Sequence, residues 1–295
     1  MIRSAIVTFS LGLSMLAGQT DDLQPYLEYA YQGTDIEAAS EDIAGRIEAA
    51  GLRFLGRYAP ADDPGRMIIV VTGDDLISAV AASAPTTGFA LAMRVAITRQ
   101  DGQLVLSSQN PPYWGNAYFQ DGYPAVAGRI EAFAATLAGA LGGSGMGFGS
   151  AEELSDKDLR RYHYMFAMPY FENMVKLAKF PSFDEAVAAI EANLAASQVA
   201  SKVFQVQVPD KTVRLYGIAL GGERGESRFV PIIDFGERKH TAFLPYGLLV
   251  MDGAVVMLHG RFRIALSFPD LTMGTFSKIM ATPGDIKKLM RALTK

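Results

Sequence analysis

The feature that most constrains this chain is a set of landmarks that recurs, in the same order, in its two halves. Thr34-Asp35-Ile36-Glu37 and Ser182-Phe183-Asp184-Glu185 both have capping-box spacing, a hydroxyl for the N3 amide and a Glu reaching back. Asp101-Gly102 and Asp252-Gly253 are both two-residue hairpin signals. Pro112 and Pro269, Phe119 and Phe276, and Pro124 and Pro283 complete the series, with offsets of 148, 151, 157, 157 and 159 from first to last. Offsets that grow steadily are what insertions in a duplicated unit produce. Two long repeats point to a duplicated domain rather than a solenoid, and 295 residues leave room for two domains.

Periodicity fills in the units. Ile36, Ala39, Ile43, Ile47 and Ala50 recur at spacings of three and four, an amphipathic helix closed by Gly51. Strands are predicted at 52–59 and 67–71, a short helix at 73–83, and strands at 89–98 and 104–108. An irregular aromatic stretch from Asn110 to Phe119 leads to a helix entered at Pro124 and ending near Leu141. In the second half Phe183, Val187, Ile190 and Leu194 mark a helix. Strands follow at 202–208, 213–220 and 228–234, then a pair at 241–250 and 255–268 around Asp252-Gly253, and Pro283 opens a last helix. The fold class is α+β: two related units, each a mainly antiparallel sheet packed against helices, joined by a helical connector. The expected boundaries are a signal peptide at 1–18, a first unit at 30–142, a connector at 143–181 and a second unit at 182–295. In the connector, the Gly142–Gly149 run has no preceding strand and no Lys, so it reads as a linker rather than a nucleotide loop. Two helices broken at Pro169, 154–168 and 170–179, follow it.

The stretch Met67-Ile-Ile-Val-Val-Thr-Gly-Asp-Asp-Leu76, with Leu91–Thr98 and Gln109-Asn-Pro-Pro112, resembles the bacterial DUF family numbered three hundred and two. Pro245–Val250 and Arg261–Ala265 resemble a more diverged copy. The resemblance implies a small α+β fold with a largely antiparallel sheet on helices, and it carries over no catalytic residue.

The N-terminus has the order of a secretory signal: Arg3, an uncharged apolar run from Ser4 to Ala17, small Ala17-Gly18, then polar residues. That run is too short to span a bilayer, and the chain has no cysteine, which suits an oxidising compartment. The expectation is a periplasmic or secreted protein with no stable membrane span once the signal is removed. Without cysteine, thiolate catalysis, disulfides and cysteine-ligated metals are excluded. A net charge of −4 makes nucleic acid an unfavourable partner. The charge is uneven: residues 1–150 carry −7 and residues 151–295 carry +3.

No catalytic signature stands out. His163, His240 and His259 are scattered, Ser144 sits in a glycine run, and Asp62-Asp63 and Asp74-Asp75 fall at turns or helix starts. No metal or cofactor is expected. Tyr113, Trp114 and Tyr118 could line a pocket or pin a loop to the core. The stronger candidate is His259-Gly260-Arg261-Phe262-Arg263. On a strand, His259, Arg261 and Arg263 share a face. A turn at Asp252-Gly253 would set Tyr246 opposite His259 and His240 diagonal to Arg263. Guanidinium forks suit carboxylate and phosphate. The leading expectation is therefore a binding or accessory protein whose partner is a small anion or another exported protein. A hydrolase or isomerase acting on a small anionic substrate, and a structural or assembly protein, are the alternatives.

Overall fold

The computed structural model describes residues 23–151 and 154–295. The predicted signal peptide at 1–18 lies outside them. The first half runs β1 (Tyr26–Tyr29), α1 (Ile36–Ala49), β2 (Arg53–Tyr58), β3 (Arg66–Thr72), α2 (Asp74–Ala81), β4 (Met93–Gln100), β5 (Gln103–Gln109), α3 (Pro111–Phe119) and α4 (Ala127–Leu141). A connecting stretch holds β6 (Met146–Phe148) and α5 (Asp156–Arg160). The second half runs β7 (Val175–Lys179), α6 (Phe183–Ala196), β8 (Ala200–Gln207), β9 (Val213–Leu220), α7 (Glu226–Ile233), β10 (Tyr246–Met251), β11 (Ala254–Met257), α8 (Gly260–Ser267), α9 (Met273–Lys278) and α10 (Thr282–Ala292).

The strand orders are β2-β3-β4-β5-β1-β6 in one sheet and, read from the matching edge, β8-β9-β10-β11-β7 in the other. Every pairing is antiparallel. The fold is α+β with two related sheet–helix units: strand order matches, with β6 extra at one edge, and element order matches except that α9 stands where the first half has the short turn Gln120–Ala125. Even an irregularity repeats. The β2 ladder shifts between Phe54 and Gly56 opposite Val71 and Val70, and the β8 ladder shifts between Lys202 and Phe204 opposite Ile218 and Gly217. The two bulged strands meet: a Cβ on Gly56 would lie 2.2 Å from the Val203 carbonyl oxygen, so only glycine admits this approach.

The contacts between units are reciprocal, as across a two-fold axis. The turn Pro85–Ala90, between α2 and β4, packs on β9 and β10. Its counterpart Thr241–Phe243, between α7 and β10, packs on β3, β4 and β5. The two cores merge into one apolar cluster.

Several local expectations are corrected. Residues 228–234 are not a strand. Gly225 caps α7, and Phe229, Val230 and Ile233 bury one face of that helix. Residues 255–268 are a strand only to Met257. There His259 caps α8 with its own ring, and Gly260 lies against Pro283, whose Cα would be 3.0 Å from an added Cβ. The pair's first strand starts at Tyr246, not Thr241. Of the two connector helices, only Asp156–Arg160 is helical. Residues 175–179 are β7, because β11 offers them an open edge. The glycine run is a linker only in part, since Met146–Phe148 pair with β1. The aromatic stretch is α3, with both prolines in its first turn. Its counterpart after the second hairpin is therefore α8, so Pro269 and Phe276 are not the equivalents of Pro112 and Phe119.

Candidate functional site

The hairpin register is as expected, with Leu249 opposite Val256 and Val250 opposite Val255. The basic residues nevertheless do not share a sheet face. Once the chain turns helical at Gly260, residues two apart point in different directions. Arg261 is exposed, Arg263 is buried, and Tyr246 pairs with Ile218 on β9 rather than with His259. The five expected ligand-binding residues go to three places.

Arg263 and Tyr246 enter the interior between the units. The Arg263 guanidinium donates to the Tyr118 hydroxyl at 3.0 Å and to the Phe243 carbonyl, and lies 5.2 Å from the Trp114 ring centre. Tyr113, Trp114 and Tyr118 line no open pocket: all three are buried on α3, and Tyr113 and Trp114 donate to the carbonyls of Leu266 and Pro25. Their rings pin α3 between the units.

His240 packs between Tyr26 and Phe268, each 4.8 Å away, and its Nδ1 lies 2.9 Å from the Ser267 carbonyl. That contact requires a proton on Nδ1. Burial pushes its pKa down, against the pull of Asp234. It borders a cavity of about 180 Å³ with Asp234, Arg238 and Asp270, where acids balance the base.

His259 and Arg261 lie on a different cavity, of about 720 Å³, where Lys176 of β7 and Lys287 of α10 join them. Among the described residues, no Asp or Glu lines it. The amino ends of α8 and α10 both border it, adding partial positive charge. Among the described residues, the Arg261 and Lys287 side chains have no ion-pair partner. The His259 Nδ1 accepts from the Arg261 backbone N–H at 3.2 Å. A ring that accepts at Nδ1 carries its proton on Nε2. Partial burial and the charges of Arg261 and Lys287 lower its pKa, so His259 serves as a neutral cap and donor. A neighbouring groove of about 440 Å³ shares His259 and Arg261 and is walled by Phe166, Met168 and Tyr170. Phe166 is almost wholly exposed.

Lys176 and Lys287 carry no sequence signal, because only β7–β11 pairing and α8–α10 packing bring them to His259. Glu226 was equally invisible. It is buried at the start of α7, accepts N–H bonds from Leu220 and Ala61 at 3.1 Å, and takes the Tyr58 hydroxyl at 3.3 Å. Burial pushes its pKa up to about 7, against the pull of those bonds. Glu226 and Tyr58 border a cavity of about 350 Å³.

Among the described residues, no group of three or more His, Cys, Asp or Glu side chains could hold a metal ion. No helix there is long and apolar enough to cross a membrane.

No family model matches the chain, and no curated protein matches it. Among solved structures it is similar to an uncharacterized conserved protein, DUF302, from Bacillus stearothermophilus. That match has 13% identity and a TM-score of 0.33, and covers 39% of this chain and 93% of that one. No residue role comes from it.

Proposed function

We propose that this protein binds a small organic anion in the cavity between α8 and α10, as a binding or accessory protein outside the cytoplasm. One observation carries the reading: Lys176, Arg261 and Lys287, with the Nε2 donor of His259, converge on one concave surface that no carboxylate of the described residues lines. A carboxylate or phosphate head would meet the basic floor. Its apolar body would run along Phe166 and Tyr170 in the adjoining groove. Of the residues singled out in the sequence, His259 and Arg261 stay in the site, while His240, Tyr246 and Arg263 leave it.

Calorimetric titration of phosphate, sulfate and aromatic or short-chain carboxylates tests this. Arg261→Ala is expected to weaken binding about tenfold or more, since a charge-assisted hydrogen bond contributes roughly 1.5–3 kcal/mol. Affinity should fall with added salt, the site being open to solvent. Sulfate affinity should stay level between about pH 7 and 8, because His259 acts as a neutral donor. No binding across the panel, or binding indifferent to Arg261→Ala, would contradict the reading.

Location outside the cytoplasm rests on the Arg3-to-Gly18 pattern. Native protein should be recovered outside the cytoplasm with its first residues removed. Cytoplasmic recovery with Met1 intact is the contrary result.

A second reading, an acid–base enzyme, is favoured by Glu226, whose carboxyl exchanges its proton near neutral pH beside Tyr58 at a cavity. Its carboxylate is already bonded to three donors of the chain, which makes it first a tie between the units.

A further inference from the structure

The interior between the units holds two buried guanidiniums to which no carboxylate of the described residues is ion-paired. Arg94 of β4 and Arg263 of α8 are each 3% exposed. Among the described residues neither forms an ion pair with a carboxylate. Arg94 donates to the Ala92 carbonyl at 2.8 Å and, at a long 3.4 Å, to that of Pro245. Among the described residues Arg263 donates to the Tyr118 hydroxyl and the Phe243 carbonyl and lies against the Trp114 ring. Burial, and then Arg263, push the Arg94 pKa down to about 9. The nearby buried carboxyls are already engaged: Glu226 by Leu220, Ala61 and Tyr58, and Asp234 by Arg66 and the His240 N–H.

Among the described residues, three buried atoms of this region lack a hydrogen-bond partner: Arg94 Nε, Gln109 Nε2 and the Tyr246 hydroxyl. Hydrogen bonds of other atoms bring their residues together. The Gln109 Oε1 accepts from the Arg94 backbone N–H at 3.1 Å, and Arg94 reaches the carbonyl next to Tyr246. The Tyr246 phenol lies in the fields of Arg263 and, more weakly, of Glu226. All three atoms can donate. Tyr118, accepting from Arg263, has its own proton to give as well. Buried donors are rarely left unpaired, and buried charges are normally matched. Orphaned donors beside two unmatched guanidiniums call for an acceptor that carries negative charge.

We propose that the junction of the two units encloses a small monovalent anion of chloride's size, held by the Arg94 Nε–H, the Gln109 amide and the Tyr246 hydroxyl and balanced by Arg94 and Arg263. The site is separate from the surface cavity and does not depend on what that cavity binds. It also gives Arg263 and Tyr246 an anion-binding role away from His259 and Arg261. Ordered water is the competing occupant: it can accept the same bonds but supplies no charge.

Thermal unfolding of the full chain tests the site, with gluconate exchanged for chloride at constant ionic strength. Raising chloride from about 1 to about 100 mM should lift Tm by about 5 °C, through preferential binding to the native state. Tyr246→Phe should lose most of that rise, whereas Arg261→Ala, confined to the surface cavity, should keep it. Bromide-grown crystals of the unmodified protein should show an anomalous peak within hydrogen-bonding distance of Arg94 Nε and Tyr246 Oη. The proposal is overturned if Tyr246→Phe melts higher than wild type with no chloride response, since its hydroxyl is then merely unpaired. Density there that does not take up bromide identifies water and overturns it equally.

Discussion

Replacing Asp234 with alanine is expected to lower the unfolding free energy by about 3–5 kcal/mol, the range for breaking one side of a buried ion pair. The Asp234 side chain is 1% exposed. It accepts from the Arg66 guanidinium and, at 2.7 Å, from the His240 backbone N–H. Arg66, 9% exposed at its side chain, also donates to Asp63 at 3.0 Å and to the Thr241 hydroxyl at 3.1 Å, and Thr241 bonds Thr98 at 2.9 Å. These residues join β3 and β4 to the segment after α7, so the network is a polar bolt through the junction. Without Asp234, Arg66 keeps the Thr241 hydroxyl and, as its one carboxylate among the described residues, the half-exposed Asp63, and the His240 N–H loses its acceptor. Asp234→Asn, which still offers an oxygen to that N–H, should lose less. Urea unfolding measures both, and a loss under about 1 kcal/mol for the alanine variant would remove the pair from this role.

Glu226→Gln should abolish a pH dependence of stability amounting to about 3 kcal/mol between roughly pH 4.5 and 7. The direction follows from proton counts. Below its ordinary value of 4.5 the carboxyl is protonated in both folded and unfolded chains. Between 4.5 and about 7 the unfolded chain has released its proton while the native protein still holds it. The native state binds the extra proton there, so stability falls as pH rises through this window and then levels off. Unfolding free energies of wild type and variant at several pH values isolate the effect of this residue. Parallel curves would show that Glu226 ionises normally in the folded protein. Anion binding at the distant α8–α10 cavity should be unaffected by this change.

How much was legible depended on whether a residue's local chemistry decided its structure. Both Asp-Gly pairs adopt positive φ at each residue, 50° and 79° in the first and 47° and 83° in the second, and so form the two-residue turns that fix hairpin register. Ser182 caps α6 as its spacing indicates, while in the first unit the cap moves by one residue, from Thr34 to Asp35. The errors fall where tertiary packing overrides propensity. The sequence Phe229-Val230-Pro231-Ile232-Ile233 has strand composition, yet α7 forms because one side of it is buried at the junction. The α8 helix was missed because its cap is a histidine ring, outside the usual Ser, Thr, Asp and Asn signals. One wrong period scatters the candidate site: His259 and Arg261 line one cavity, but the helix turns Arg263 inward. Arg94 and Glu226 were unreadable for a different reason. Arg and Glu are almost never fully buried unless paired, so sequence reasoning leaves them in solvent.

The binding reading is tested most directly by locating the anion. Crystals grown in selenate, a tetrahedral dianion with a strong anomalous signal, should show one dominant surface peak within hydrogen-bonding distance of Arg261 and Lys287, between the amino ends of α8 and α10. The same experiment on Arg261→Ala should weaken or remove that peak. A map with no peak in this cavity, or with its strongest surface peak on another face of the protein, would contradict anion recognition by the second unit.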